Sequence, residues 1–176
     1  MLLGEGETPP SPSAPAATPT VAAPTVGARA QTAADKAEAE SLFDEAGKLL
    51  RGGDAQAACP KLERSLQLDR GIGTLLFLAE CYERVGRVAS AWATFREAVP
   101  LARKRGDHDR ARLAEERIAA LSPRLARLVI EIPEANRATG LRLQLDDAAL
   151  GAAIWGVAMP VNPGAHTLRI AGPDQS

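Results

Sequence analysis

The chain predicts an α+β fold: about five helices stacked as hairpins, followed by a small antiparallel β module. Three observations predict it. A pattern of small and large apolar residues recurs at an offset of 33 residues, apolar spacing changes from helical to alternating after Pro123, and a Pro/Ala/Thr-rich stretch precedes both. Under that offset Gly53 falls on Gly86, Ala46 on Ala79, Leu49 on Tyr82, Ala58 on Ala91 and Leu62 on Phe95. A recurrence near 34 residues marks stacked helical hairpins, because one hairpin alone cannot bury its apolar face.

Taken in order, the chain divides at about residues 33 and 122. Residues 8–30 are Thr, Pro, Ala, Ser and Val, including Pro9, Pro10, Pro12, Pro15, Pro19 and Pro24. Such a composition cannot bury a core and reads as an extended, disordered tether over residues 1–33. The spacing of Leu42, Phe43, Ala46, Leu49 and Leu50 predicts a first helix from about Ala34 to Arg51. Gly52-Gly53 ends it, and Asp54 caps a second helix reaching Asp69. Pro60 must sit in the first turns of that helix or kink it. A third helix is expected from Ile72 to Val85, broken by Gly86, and a fourth carries Ala91, Phe95 and Ala98 toward Arg105. Gly106 stops it, and Asp107 caps a fifth helix that Ser122-Pro123 closes.

Beyond Pro123 the period is that of strands. Leu128, Ile130 and Ile132 alternate, as do Leu141, Leu143 and Leu145, then Val157, Met159 and Val161, then His166, Leu168 and Ile170. Asp146-Asp147 and Asn162-Pro163-Gly164 supply turns. About four short strands are expected within residues 123–176.

Composition narrows the function classes. The 176 residues carry a net charge of −1, so a nucleic-acid partner is not expected. Five of the six aromatic residues, Phe43, Phe77, Tyr82, Trp92 and Phe95, lie in the repeat region, which therefore holds the main core. No apolar run approaches the roughly 20 residues of a membrane span. The first seven residues lack a basic and an apolar signal region, which taken literally predicts the cytoplasm. Spacers like residues 8–30 commonly follow a signal or anchor, which predicts the periplasm or cell envelope if the N-terminus is truncated or mis-assigned.

Few residues suggest chemistry. Cys59 and Cys81 become level if the second and third helices fold back around Arg70. A disulfide there would close a loop of about 22 residues, worth roughly 3 kcal/mol, and would need an oxidising compartment. Two half-buried thiols filling a helix interface are the other reading. No metal or cofactor site is expected, since no Cys-x-x-Cys exists and neither histidine is near either cysteine. His108 fits a helix start and His166 a turn, and neither accompanies a nucleophile motif, so no catalytic residue is assigned. Asp146 and Asp147 read as a turn. Arg103, Lys104, Arg105, Arg110, Arg112, Arg117, Arg124 and Arg127 form a basic concentration that reads as an ion-paired helix face, or else as a site for an acidic partner. Gly71-x-Gly73 is a helix-connecting turn rather than a phosphate loop.

The second copy, through Leu75, Leu78, Ala79, Tyr82, Gly86, Ala91, Phe95 and Ala98, resembles the tetratricopeptide repeat family over roughly residues 37–121. The first copy departs from it at Glu45 and Arg70, where Leu and Pro are usual. The stretch Leu145-Asp146-Asp147, Leu150-Gly151, Pro160 and Pro163-Gly164-Ala165-His166 resembles a PEGA-type module over about residues 127–172. Its Asp-Gly turn reads Asp-Asp here, and the strand after the Pro-Gly turn is short or missing, leaving an unpaired edge. The combination is similar to bacterial envelope proteins. The resemblance implies a protein or peptide ligand in a groove lined by the first helix of each hairpin, at Phe43, Gly47, Leu50, Leu76, Glu80, Glu83 and Arg84. Glu80 and Glu83 would favour a basic residue. The carboxylate-clamp form of the family needs Asn and Lys in that groove, and the repeat region has no Asn.

Overall fold

The computed structural model describes residues 32–137 and 140–172. The expected tether lies outside them except for Thr32 and Ala33. Five helices come first: α1 (Ala33–Arg51), α2 (Ala55–Leu68), α3 (Ile72–Arg84), α4 (Val88–Lys104) and α5 (His108–Leu121). Five short strands follow: β1 (Ala126–Leu128), β2 (Arg142–Leu145), β3 (Ala148–Leu150), β4 (Met159–Val161) and β5 (Leu168–Ala171). The described residues form one compact unit.

Local chemistry sets the helix limits. Thr32 and Asp35 form a reciprocal capping box at the start of α1, each side chain accepting from the other's backbone N–H at 3.0 Å. Asp54 and Asp107 cap α2 and α5 through the amides of Ala57 and Arg110. Helices α1, α3 and α4 end alike. The N–H of Asp54, Arg87 and Asp107 reaches back to the carbonyl of Leu49, Tyr82 and Ala102 at 2.8–2.9 Å. Gly53, Gly86 and Gly106 stand just before those residues at φ of 84°, 78° and 72°. A side chain would strain that left-handed conformation, which explains why glycine recurs in the pattern. Pro60 and Pro100 lie inside α2 and α4, which continue through them. Each proline costs one helical bond, to the carbonyl of Gln56 or Arg96.

Side-chain bonds show how the helices stack. Helices α1 and α2 run antiparallel: the Ser65 hydroxyl donates to the Ala39 carbonyl at 2.8 Å, and Lys61 pairs with Glu45 at 2.6 Å. Helices α1 and α3 lie side by side in the same direction, with contacts between residues 34 apart. Phe43 meets Phe77 edge-on with centroids 5.0 Å apart, and Arg84 Nη1 donates to the Leu50 carbonyl at 3.0 Å. The same interval recurs where Arg117 of α5 approaches Glu83 of α3 at 4.0 Å. One row therefore holds α1, α3 and α5, and a second row holds α2 and α4. The core between the rows includes Ala46, Ala58, Ala79, Ala91 and Ala98, all fully buried, beside Leu62, Leu75 and Phe95. Alanines where the helices meet allow close approach, and the large residues fill the space between them.

The β region departs from its alternating pattern in two places. Ile130 and Ile132 are buried but unpaired as strand. The Ile130 carbonyl accepts from Gly156 N–H and the Ile132 carbonyl from Arg137 Nε, each at 2.9 Å, so loop donors replace a ladder. Strand β3 is new. Its residues, Ala148-Ala149-Leu150, carry almost no alternation, and the turn creates it: Asp146 and Asp147 take φ of 49° and 68°, the geometry of a tight two-residue hairpin. One antiparallel sheet has the order β3-β2-β5, with Leu143 opposite both Leu150 and Ile170; a second pairs β1 with β4. Ile130, Ile132 and Leu143 form a core of their own, separate from that of the helices. The outer edge of β5 is unpaired among the described residues, and Leu168 and Ile170 are exposed there.

Helix α4 packs on β4. The Asn162 side chain, just after β4, accepts from Ser90 N–H at 3.1 Å through Oδ1 and donates to Ser90 Oγ at 2.8 Å through Nδ2.

Candidate functional site

Two concavities adjoin on the face made by α1, α3 and α5, sharing Gly73. The first, about 360 Å³, lies between α1 and α3. Glu40, Phe43 and Asp44 of α1 form one wall and Gly73 and Thr74 of α3 the other, with Ser65 and Asp69 at the end of α2 below. The Ser65 hydroxyl is committed to the Ala39 carbonyl. Among the described residues, neither Glu40 nor Asp44 has an ion-pair partner.

The second concavity, about 270 Å³, lies between α3 and α5. Leu76 and Phe77 of α3, Phe95 of α4 and Leu113 of α5 give it an apolar lining, with Glu80, Arg110 and Arg117 at its rim. Phe77 is 38% and Leu113 46% exposed. These are large apolar side chains left in water on one continuous face.

The sequence-predicted groove residues divide between these walls and the interior. Phe43 lines the first concavity, and Leu76 and Glu80 the second. Leu50 is not a groove residue: it is 6% exposed and belongs to the helical core. Gly47 is likewise buried, and a Cβ there would meet the Arg51 guanidinium at 3.4 Å. Arg84 is held between the Leu50 carbonyl and Glu80, at 3.0 and 2.6 Å. Glu83 accepts from Arg124 at 3.3 Å and faces Arg117. The 34-residue contact interval accounts for these placements, because it sets Arg84 across the end of α1 and covers Leu50. Glu40, Asp44, Phe77, Arg110, Leu113 and Arg117 form much of the surface without being assigned to the groove from sequence, which placed Arg110 and Arg117 only in the basic concentration. Phe77 was legible as an aromatic in the repeat. The charged residues resemble an ordinary solvated helix face until the helices are stacked.

Cys59 and Cys81 are joined as a disulfide between α2 and α3, with Cα atoms 5.6 Å apart. Both are buried, with Ala55 and Leu62 nearby on α2 and Leu78 and Tyr82 on α3. The adjacent Tyr82 hydroxyl donates to Glu63 at 2.7 Å; burial first and that bond second hold its pKa well above the ordinary phenol value. The basic concentration is largely ion-paired. Arg103 pairs with Glu115, Arg110 with Asp107, Arg112 with Asp109 and Glu116, and Arg124 with Glu83.

His166 holds the β module's main polar cluster. Its Nδ1 is 2.5 Å from Asp146 Oδ2 and its Nε2 is 2.6 Å from the Asn162 carbonyl oxygen. Both ring nitrogens face acceptors, leaving neither for a substrate. The Asp146 hydrogen bond raises the His166 pKa, and the same bond lowers that of Asp146. His108 is the exposed first residue of α5. Among the described residues, no three His, Cys, Asp or Glu side chains gather as a metal site, and no helix is long and apolar enough to cross a membrane.

No protein-family model matches the chain, and no curated protein matches it.

Proposed function

We propose that this chain is a non-enzymatic interaction scaffold whose helical stack holds a protein or peptide segment across α1, α3 and α5. The observation that carries this reading is the pair of adjoining concavities with Phe77 and Leu113 exposed between and beside them. A row of parallel helices with apolar side chains in water supports tetratricopeptide-like ligand capture better than it supports chemistry. The edge of β5, unpaired among the described residues and with Leu168 and Ile170 exposed, suits contact with a neighbouring chain or the cell envelope. The Cys59–Cys81 bridge favours an oxidising compartment such as the periplasm.

The test is capture on immobilised protein, comparing the parent with a Phe43→Ala, Leu76→Asp double variant of unchanged helicity. Proteins retained by the parent and lost by the variant support the groove. Identical retained sets count against it.

A second reading has its own observation. Asn162 bonds twice to Ser90 at the start of α4, which favours a β module that only caps the stack, in a cytoplasmic structural or regulatory appendage. Alkylation of thiols in intact cells separates the compartments: a protected Cys59–Cys81 pair favours the envelope, and two alkylated thiols favour the cytoplasm.

A further inference from the structure

The two concavities differ in chemistry, and the difference specifies an occupant. Glu40, Asp44 and Asp69 surround the first without a cationic side chain in its lining. Two helix termini also meet there. The last carbonyls of α2 and the first amides of α3 bring partial charges of opposite sign, which largely offset. Glu40 and Asp44, without ion-pair partners among the described residues, therefore set the sign of the potential, and the space is negative. Phe43 adds an aromatic wall against which the methylene stem of a long cation can lie. The carboxylates line a side-chain-sized hollow without gathering closely enough to form a metal site. The second concavity is floored by Leu76, Phe77, Phe95 and Leu113 and suits an apolar side chain.

Their separation follows from the stack. One lies between α1 and α3, the other between α3 and α5, so their centres are about one interhelical spacing apart. Packed helices stand roughly 8–10 Å apart. A polyproline II chain advances about 3.1 Å per residue and returns a side chain to the same face every third residue, so that distance is about three residues.

We infer that the groove takes a peptide in the polyproline II conformation whose Lys or Arg enters the α1–α3 concavity and whose apolar side chain, three residues away, enters the α3–α5 concavity. The inference rests on the groove reading above and adds the ligand's charge and spacing. The Lys or Arg replaces part of its hydration with carboxylates, and the apolar anchor covers Phe77 and Leu113. A cation in the second concavity would lie on an apolar floor, with the rim carboxylate Glu80 already paired with Arg84, so the two ends are not interchangeable.

A peptide array tests it. The probe is the capped octapeptide Gly-Ser-Lys-Gly-Ser-Phe-Gly-Ser, with members in which Glu or Gln replaces Lys, Ser replaces Phe, or the Lys–Phe spacing is two or four. The expected result is retention of the spacing-three Lys member at least tenfold above its Glu and Ser counterparts. A Glu40→Lys, Asp44→Lys variant should reverse the Lys-over-Glu preference. Equal retention of Lys and Glu members, or indifference to spacing, overturns the inference. If that retention is still abolished by Leu113→Asp, the groove reading survives. No retention of any member counts against both.

Discussion

His166 sits between two acceptors, Asp146 Oδ2 and the Asn162 carbonyl, and only the imidazolium can donate to both. A neutral ring would set a lone pair against an oxygen at one side. Thr167 N–H adds a second bond to Asp146, at 2.9 Å through Oδ1, and the Thr167 carbonyl accepts from Asp146 N–H at 3.0 Å. The hairpin turn and the entry to β5 are thus tied through one charged pair. His166 has its folded pKa raised above 6.5, so its contribution is complete below 6.5 and is lost as pH rises through the higher folded value. Asp146 has its folded pKa lowered below 3.8, so its contribution is complete above 3.8 and is lost as pH falls through the lower folded value. Between these limits both contributions are present. A His166→Gln variant should therefore lie furthest below the parent in thermal stability at about pH 5–6 and converge with it in alkaline buffer. A stability difference independent of pH would dismiss the imidazolium as its source.

At the scale of elements, α4 begins without a side-chain cap of its own, because Arg87 stands where a short polar residue is usual. Asn162 supplies the missing acceptor from the β module. The Asn162→Ala substitution should cost about 0.5–2 kcal/mol, the usual range for losing an N-terminal cap. Ser90→Ala should cost less, since the Ser90 amide keeps its bond to Oδ1. Urea unfolding of both single variants and the double variant measures the coupling, and strictly additive losses would deny it. The disulfide acts on another pair of elements. It joins α2 to α3 across 22 residues of sequence, and removing it with Cys59→Ala and Cys81→Ala should lower stability by about 3 kcal/mol. The parent under reductant should approach the variant, and reductant should leave the variant unchanged. A parent insensitive to reductant, with no loss in the variant, would assign the two cysteines a packing role alone.

Across the whole molecule, what the sequence revealed depends on how each element is specified. The helical half was readable because the 33-residue offset repeats a physical device, a left-handed glycine closing a helix beside small residues that let neighbours approach. Strand β3 escaped notice because two alanines carry no alternation, and its pairing is imposed by the Asp146-Asp147 turn. Phe43 and Leu76 of the groove followed from the repeat, whereas Phe77, Leu113, Glu40 and Asp44 acquire their place in it only when the helices are stacked around the two hollows. The two halves also differ in how they are held together. All members of the helical core lie at or before Leu125, and those of the β core at or after Leu128. Among the described residues, the packing of α4 on β4 and the two Asn162–Ser90 bonds join them. Neither core supplies side chains to the other, so deletion of residues 126–176 should leave a folded helical stack. The loss should be about one cap and a small apolar contact, roughly 1–3 kcal/mol. Circular dichroism and urea unfolding of the shortened chain check this. A cooperative transition with helical signal intact establishes that the stack can present its groove alone. Loss of that transition would instead make the β module a required cap on α4, and the scaffold reading would have to treat both halves as one binding body.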